Sequence, residues 1–290
     1  MGQRAHLDLT GGPYRLGVIG DPVAHSLSPD LHQPALDQCG IPAVYERWHT
    51  TAADLVSRVE SLRDPEFLGA SVTVPHKIAV KDLLDEVSEA ARRAGAVNTI
   101  VNRGGALFGD NTDIYGFGMT VSDSLDGRTP QVAVVLGAGG AARAVVLALE
   151  AAGAREIVVF NRDVERAAQL ARDLDPGPVR PLPLEEEFLV RELPGADVFV
   201  NATSLGWHPG ETPIALPRLD LLPAGALVAD LTYRDTDLLL AAQGRGLKTA
   251  DGLPMLIHQG ARAFELWTGS PAPVETMLAA AREAQARART

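Results

Sequence analysis

The sequence predicts an α/β protein with mostly parallel sheets, and three observations carry that reading. Short apolar runs alternate with helix-like stretches along the whole chain, the grammar of βαβ units. One run, residues 131–137 (QVAVVLG), is almost wholly apolar, as in strands buried on both faces of a parallel sheet. The length, 290 residues, suits two domains or one large α/β domain.

The elements follow in order. Residues 16–20 (LGVIG) form an apolar run ending in glycine, read as a strand. After a polar loop, Ser28-Pro29 marks a helix start, with Ser28 as N-cap and Pro29 at the first helical position, where no N–H is missed. Gly40 is the expected stop, and Pro34 predicts a kink or irregular turn. Residues 44–48 read as a strand, 51–62 as a helix, 69–74 as a strand and 77–84 as a helix after Pro75. Residues 96–102 and 107–109 are strand-like, and Asp113 precedes a helix to about Leu125. In the second half, strands are expected at 131–137, 156–160, 198–201 and 227–230. Helices are expected at 141–152, 164–173 and 236–245. Residues 176–183 carry four prolines and read as a loop. The new strand-turn-helix unit at Gln131 is the clearest domain-boundary signal.

Composition excludes several classes. Hydrophobic residues make up 46% and charged residues 22%, ordinary globular usage rather than a disordered, collagen-like or coiled-coil chain. A formal charge of −11 makes nucleic acid and anionic membranes poor partners. One cysteine, Cys39, forms no internal disulfide and no zinc site, and no metal is expected. Residues 1–6 lack the apolar core of a secretory signal, and His6 fails the myristoylation pattern. No apolar stretch reaches the ~20 residues of a membrane span, so a cytoplasmic protein is expected.

The segment Gly137-Ala138-Gly139-Gly140-Ala141-Ala142 fits G-x-G-x-x-A between an apolar strand and an alanine-rich helix. In that setting Gly137 permits the tight turn, Gly139 lets backbone approach a pyrophosphate, and Ala142 keeps helix and sheet close. The helix start offers free N–H groups and its positive dipole end to phosphate. The next strand ends in Asn161-Arg162-Asp163, where a dinucleotide fold reads the ribose, with Arg166 one turn on. An acid there points to NAD and arginine to the 2′-phosphate of NADP; both occur, and Asp163 also reads as the next helix's N-cap.

The first half holds a scattered polar set. Lysine occurs only at 77, 81 and 248, against 23 arginines, and lysine, unlike arginine, can be tuned to lose its proton near neutrality. Taken singly, Lys77 is a solvated helix residue, and Ser26, Ser28 and Asp113 are ordinary caps. Taken together, the series is ordered: residues 25–29 (HSLSP), 71–77 (SVTVPHK), 95–99 (GAVNT), 109–113 (GDNTD), 137–141 (GAGGA), 201–206 (NATSLG), 230–233 (DLTY) and 252–259 (GLPMLIHQ). That series resembles the shikimate dehydrogenase family essentially end to end, and residues 263–269 resemble its closing helix.

The resemblance implies two α/β domains with the active site in the cleft between them. Residues 1–112 with 253–290 would bind shikimate, and residues 113–252 would form a Rossmann-type, doubly wound NADP-binding domain. The implied reaction is reversible reduction of 3-dehydroshikimate by NADPH, in chorismate and aromatic amino-acid biosynthesis. Lys77 and Asp113 match the catalytic pair: an ammonium can stabilise or protonate the oxygen that gains charge as a ketone accepts hydride. Ser26 and Ser28 match the residues that hold the carboxylate, with Tyr233 nearby. Thr73, Asn98 and Gln259 match ligands of the ring hydroxyls, and Ser71 belongs to the same substrate set. On the cofactor side the resemblance adds Asn161, Arg162 and Arg166 for the ribose phosphate, and Thr203, Leu231, Gly252 and Met255 along the dinucleotide. A monomer or homodimer acting on a small molecule is expected.

This chain departs from the family at several positions. Ser71 stands where Asn is usual, Gln33 where Asn is common, Asp163 where Thr or Ser is usual and Trp207 where Met is frequent. Arg234-Asp235 replaces an expected Tyr-x-Pro continuation. Two other functions fit the same family: an NAD-dependent quinate/shikimate dehydrogenase, and a non-catalytic shikimate-binding regulator. The regulator sits poorly with the presence of both Lys77 and Asp113. A pterin-carrying one-carbon dehydrogenase on a related fold lacks support from the HSLSP and GDNTD blocks.

Overall fold

The computed structural model describes residues 11–174 and 177–287. The expectations at residues 1–6 and at Pro176 lie outside the described residues. The chain divides into two compact units: one runs to Thr112 and resumes at Ile257, and the other is Asp113–Leu256.

The first unit is built on β1 (Tyr14–Gly20), α1 (Ser28–Gln38), β2 (Ala43–His49), α2 (Leu55–Ser61), β3 (Gly69–Val72), β4 (Glu86–Val87), α3 (Glu89–Ala94), β5 (Thr99–Arg103) and β6 (Ala106–Asp110). Its sheet runs β2-β1-β3-β5-β6-β4. β1 pairs parallel with β2 and β3, and β4 with β6, while β5 is antiparallel to β3 and β6. The reversal has a local cause. Gly104 and Gly105 both take positive φ, 66° and 95°, as a two-residue hairpin turn between Arg103 and Ala106 demands. Ile19, Trp48, Val59, Val72, Ile100 and Leu107 fill one face of this sheet. On the other, His32, Tyr45 and Trp267 cluster through their rings.

Three local expectations are corrected here. Ser28 is not the N-cap: Leu27 takes that place without a side-chain cap bond, and Ser28 is already helical. The helix runs through Pro34 to Gln38, and Gly40 follows with φ 65° as the expected stop. Residues 77–84 do not form an α-helix: Lys77 lies in a turn before a 3-10 helix, Ala79–Leu83. The helix expected from Thr51 starts at Leu55, because the Thr51 hydroxyl bonds the Asp54 carboxylate at 2.6 Å in a preceding turn.

Helix α4 (Thr112–Ser124) carries the chain onward, and Asp113 sits inside its first turn rather than ahead of it as a cap. The second unit then holds β7 (Val132–Leu136), α5 (Gly140–Ala151), β8 (Glu156–Asn161), α6 (Val164–Asp173), β9 (Val179–Pro183), α7 (Glu186–Glu192), β10 (Val198–Asn201), β11 (Leu227–Asp230), α8 (Asp237–Gln243) and β12 (Lys248–Ala250). Its sheet, β12-β11-β10-β7-β8-β9, is parallel throughout. Strand order reverses between β7 and β10, which makes their carboxyl ends the switch point where such sheets bind ligands. Val134, Leu136, Val158, Phe160, Phe199 and Val228 are buried in its core.

The proline-rich loop is corrected to a strand, β9. It lies at the sheet edge, where Pro181 and Pro183 need supply no N–H to an outer neighbour. Helices α9 (Leu253–Thr268) and α10 (Val274–Arg287) close the chain. The second passage between units falls one turn inside α9. From there the chain belongs to the first unit, where α10 packs on α1 and Trp267 Nε1 donates to the Ile100 carbonyl at 2.8 Å.

Candidate active site

Sheet register in the first unit gathers hydroxyls at one place. Tyr45 pairs with Leu16 and Ser71 with Val18, so both lie on the same face, with β1 between them. Tyrosine is long enough to reach across two strand spacings of roughly 4.8 Å. Its hydroxyl donates to Ser71 Oγ at 2.8 Å. Ser28, at the start of α1, accepts a hydrogen bond from Ser26 Oγ at 3.1 Å. The loop is held from outside by Arg47. Its Nε and one terminal nitrogen donate to the Ser26 carbonyl at 3.1 and 2.7 Å, and it also pairs with Asp30 at 2.7 Å.

Beneath these hydroxyls the imidazole of His32 stacks on Tyr45 with centroids 4.6 Å apart. His32 is 1% exposed, neither ring nitrogen has a hydrogen-bond partner, and burial lowers its pKa to about 3. Unfolding frees the ring to bind a proton below about pH 6.5, while the folded chain resists until about 3. Stability from this residue is therefore complete above pH 6.5 and is lost as pH falls through that window, at up to ~1.4 kcal/mol per pH unit. Urea unfolding between pH 7 and 4 should show a shallower loss for His32→Phe than for the wild type. Parallel curves would mean that His32 takes no part in the acid response.

A second cluster forms where β5 meets the end of β6. Asn98 is buried just before β5; its Nδ2 donates to Thr112 Oγ1 at 3.0 Å and to Gln259 Oε1 at 3.2 Å. Its Oδ1 accepts the Thr112 N–H at 2.7 Å. The structure thus brings Asn98 and Gln259 together although 161 residues separate them. Lys77 is half-buried, and its carbonyl accepts the N–H of Val97 at 2.7 Å, which ties the lysine turn to the residue before Asn98. The neighbouring His76 is buried, with Nε2 2.6 Å from the Thr50 carbonyl. Thr73, half-buried just past β3, is fixed by its N–H on the Ile19 carbonyl at 2.8 Å. Asp113 is 5% exposed and follows directly on Thr112.

In the second unit the glycine loop joins β7 to α5. Gly137 has φ 106°, and a Cβ there would lie 2.8 Å from the Ala202 carbonyl oxygen, so the turn accepts no side chain. Gly139 is the N-cap of α5, which has no side-chain cap bond, and a Cβ at Gly139 would meet nothing within 4 Å. Ala138, Gly140 and Ala141 are half-buried around it. Uncapped N–H groups facing open space suit a pyrophosphate. At the end of β8, Asn161 Nδ2 donates to the Asp163 carbonyl at 2.8 Å, and Arg162 and Arg166 are exposed. Asp163 is the N-cap of α6, accepting the Glu165 N–H at 3.1 Å. These residues fit a dinucleotide carrying an extra phosphate.

The remaining cofactor candidates cluster at the ends of β10 and β11. Asn201 Oδ1 accepts the hydroxyl of Thr203 at 2.7 Å, and Asn201 Nδ2 donates to buried Asp230 at 3.1 Å. Burial raises the Asp230 pKa against hydrogen bonds from Thr232, Asn201 and Thr236. The Leu231 N–H donates to the Asn201 carbonyl at 3.1 Å. Leu231 is in turn pressed against Gly252, where a Cβ would sit 2.2 Å from the Leu231 oxygen. Met255 is buried in α9. Tyr233 packs edge-on against Trp207 at 5.1 Å. Among the described residues, no group of three or more His, Cys, Asp or Glu side chains could hold a metal ion.

Sequence reasoning assigned no role to Tyr45, Thr112, Asn201 or Asp230. The last three stand in or beside quoted motifs, at strand and helix ends where polar residues signal sites. Tyr45 carried no such signal, because one tyrosine in an alternating strand reads as core.

A parallel dinucleotide-type unit joined to a unit rich in hydroxyl and amide groups is the layout of a two-domain nicotinamide-dependent dehydrogenase. Residues 18–100 match the shikimate dehydrogenase substrate binding domain, 121–207 the shikimate/quinate 5-dehydrogenase family and 252–282 the shikimate 5′-dehydrogenase C-terminal domain. The chain belongs to the shikimate dehydrogenase family. The shikimate dehydrogenase (NADP(+)) of Symbiobacterium thermophilum is 45% identical over 93% of this chain and 94% of its own length. The Thermus thermophilus shikimate 5-dehydrogenase, solved in complex with NADP(H) and shikimate, is 40% identical with TM-score 0.83, covering 93% of this chain and 99% of that one. A quinate dehydrogenase from Corynebacterium glutamicum in complex with NAD is 34% identical with TM-score 0.85, over 93% and 99% of the chains.

Proposed function

We propose that this enzyme interconverts 3-dehydroshikimate and shikimate with NADP(H), the reductive step toward chorismate and the aromatic amino acids. The observation that carries the reading is the near-complete likeness to the Thermus enzyme bound to both NADP(H) and shikimate. NADPH, when bound, supplies the hydride. Gly137–Ala141 and the start of α5 hold its pyrophosphate, and Asn161, Arg162 and Arg166 hold its ribose phosphate. Thr203, Leu231, Gly252 and Met255 line the rest.

Ser26 and Ser28 donate hydroxyl hydrogen bonds to the substrate carboxylate, with Tyr233 completing that end. Thr73, Asn98 and Gln259 bind ring hydroxyls, and Ser71 supports them. The Lys77 ammonium offers positive charge and a proton to the carbonyl oxygen as charge develops there. Asp113 orients the lysine and accepts a hydrogen bond from a ring hydroxyl. The substrate unit is taken as 1–112 with 253–290, and the cofactor unit as 113–252. The enzyme works as a monomer or homodimer on small molecules. No helix among the described residues is long and apolar enough to cross a membrane. A cytoplasmic site of action belongs to this reading, supported by the exposed free thiol of Cys39, which suits a reducing compartment.

The likeness to an NAD-bound quinate dehydrogenase supports a second reading, NAD-dependent oxidation of quinate. One assay separates the two. Absorbance at the nicotinamide band is followed with shikimate or quinate against NADP⁺ or NAD⁺. Shikimate with NADP⁺ is expected to give the highest kcat/KM. A faster quinate/NAD⁺ arm overturns the first reading in favour of the second, and no turnover in any arm leaves a binding protein.

A further inference from the structure

Asp230 ends β11 at 1% exposure, and no arginine or lysine pairs with it among the described residues. A buried carboxylate without a cation is costly, so its partners must account for it. Three donors face it. The Thr232 N–H meets Oδ1 at 3.0 Å, and Asn201 Nδ2 and the Thr236 hydroxyl meet Oδ2 at 3.1 and 3.0 Å. An ionised carboxylate only accepts, whereas an amide in its place would set its own N–H₂ against one of these donors.

Asn201 uses its whole amide on the turn that follows β10. Its Oδ1 accepts the Thr203 N–H at 3.1 Å and the Thr203 hydroxyl at 2.7 Å, and its Nδ2 donates to the Leu205 carbonyl at 2.9 Å as well as to Asp230. The Leu205 N–H closes the turn on Thr203 Oγ1 at 3.1 Å. A flipped amide would set its N–H₂ against the Thr203 N–H and its oxygen against the Leu205 carbonyl. Asp230 adds the acceptor that holds the observed orientation. At Gly206 the chain passes over the carboxylate: φ is 115°, and a Cβ there would sit 3.5 Å from Asp230 Oδ2. At its other end the turn touches the glycine loop, through the Ala202 carbonyl against Gly137. We propose that Asp230 is a positioning residue for the nicotinamide half of the dinucleotide, acting through Asn201 on the turn Thr203–Leu205. The proposal rests on the cofactor roles given above to the glycine loop, Arg162 and Thr203. Strand order tells which half is meant. The pyrophosphate loop follows β7 and the ribose-phosphate site follows β8, so the other half of the dinucleotide runs toward β10 and β11.

Asp230→Asn keeps the size of the side chain and turns an acceptor into a misplaced donor. KM for NADP⁺ should rise about 10-fold, the scale of one hydrogen bond to a charged group, with the shikimate KM within about 2-fold. The inhibition constant of 2′,5′-ADP, which carries the phosphate-bearing half and no nicotinamide, should stay within about 2-fold. A general loosening of the unit would weaken both nucleotides alike. Asn201→Ala introduces no misplaced donor and should show the same split, so it serves where Asp230→Asn folds poorly. Combining the two should raise the NADP⁺ KM no further than Asn201→Ala alone, because the effect passes through Asn201. An NADP⁺ KM near the wild-type value in both variants overturns the proposal. So does an equal loss for 2′,5′-ADP, or a double variant in which the two effects add in full. If the wild-type enzyme binds neither NADP⁺ nor 2′,5′-ADP, the functional reading itself fails, before any variant is compared.

Discussion

Replacing Lys77 by alanine is expected to lower kcat by at least ~100-fold, the usual scale for a positioned acid–base group, with little change in the shikimate KM. The backbone around Lys77 explains why the loss should be chemical rather than structural. The lysine turn is held by its own carbonyl on the Val97 N–H and by buried His76 on the Thr50 carbonyl. None of these backbone and His76 bonds uses the Lys77 side chain. Lys77→Arg extends the test. Arginine keeps the charge but cannot give up its proton near neutrality. An arginine variant as slow as alanine would assign the lysine a proton to move, whereas substantial rescue would assign it charge stabilisation alone. If Lys77→Ala keeps kcat within a few-fold while only KM rises, Lys77 is a binding residue and the catalytic assignment fails.

The parts of this fold that were legible in the sequence are those whose causes are local. The apolar run of β7, the glycine turn after it and the N-cap at Asp163 are each set by residues within a few positions. The misreadings have non-local causes. Four prolines made residues 176–183 look like a loop, yet an edge position costs a strand nothing for a missing N–H. Ser28 looked like a cap because serine before proline usually is one, but Leu27 takes that place, and the Ser28 hydroxyl accepts from Ser26 Oγ instead. Lys77 looked helical, but its turn is fixed by bonds to Val97 and Thr50. The Gly104-Gly105 turn was available as a hairpin signal and explains why the first sheet is mixed. At the candidate site, the motif residues could be named from sequence. The bonds that join Asn98 to Gln259, or Tyr45 to Ser71, could not, since only tertiary packing brings those pairs into reach.

Cofactor choice is the second large effect, and here Arg162 and Asp163 oppose each other. Both arginines are exposed beyond β8, and the charge-assisted phosphate contacts proposed for them are worth about 1.5–3 kcal/mol each before solvent screening. Asp163 would repel that phosphate, but its carboxylate is already occupied. One oxygen caps α6 through the Glu165 N–H, and the helix dipole stabilises the charge where it sits. The strand-end position that usually reads a free 2′-OH is held by Asn161, whose amide is turned to the Asp163 carbonyl. Two cations against one engaged anion favour NADP. The kcat/KM with NADP⁺ should exceed that with NAD⁺ by at least ~10-fold, equivalent to ~1.4 kcal/mol. Arg162→Ala should erase most of the ratio. Asp163→Ser should increase it without loss of stability, because serine also caps a helix. Since the arginines are exposed, the ratio should also shrink as salt rises from ~0.05 to ~0.5 M. Steady-state kinetics with both dinucleotides decide the matter: equal or better turnover with NAD⁺ in the wild type would leave Asp163, not the arginines, as the residue that reads the ribose.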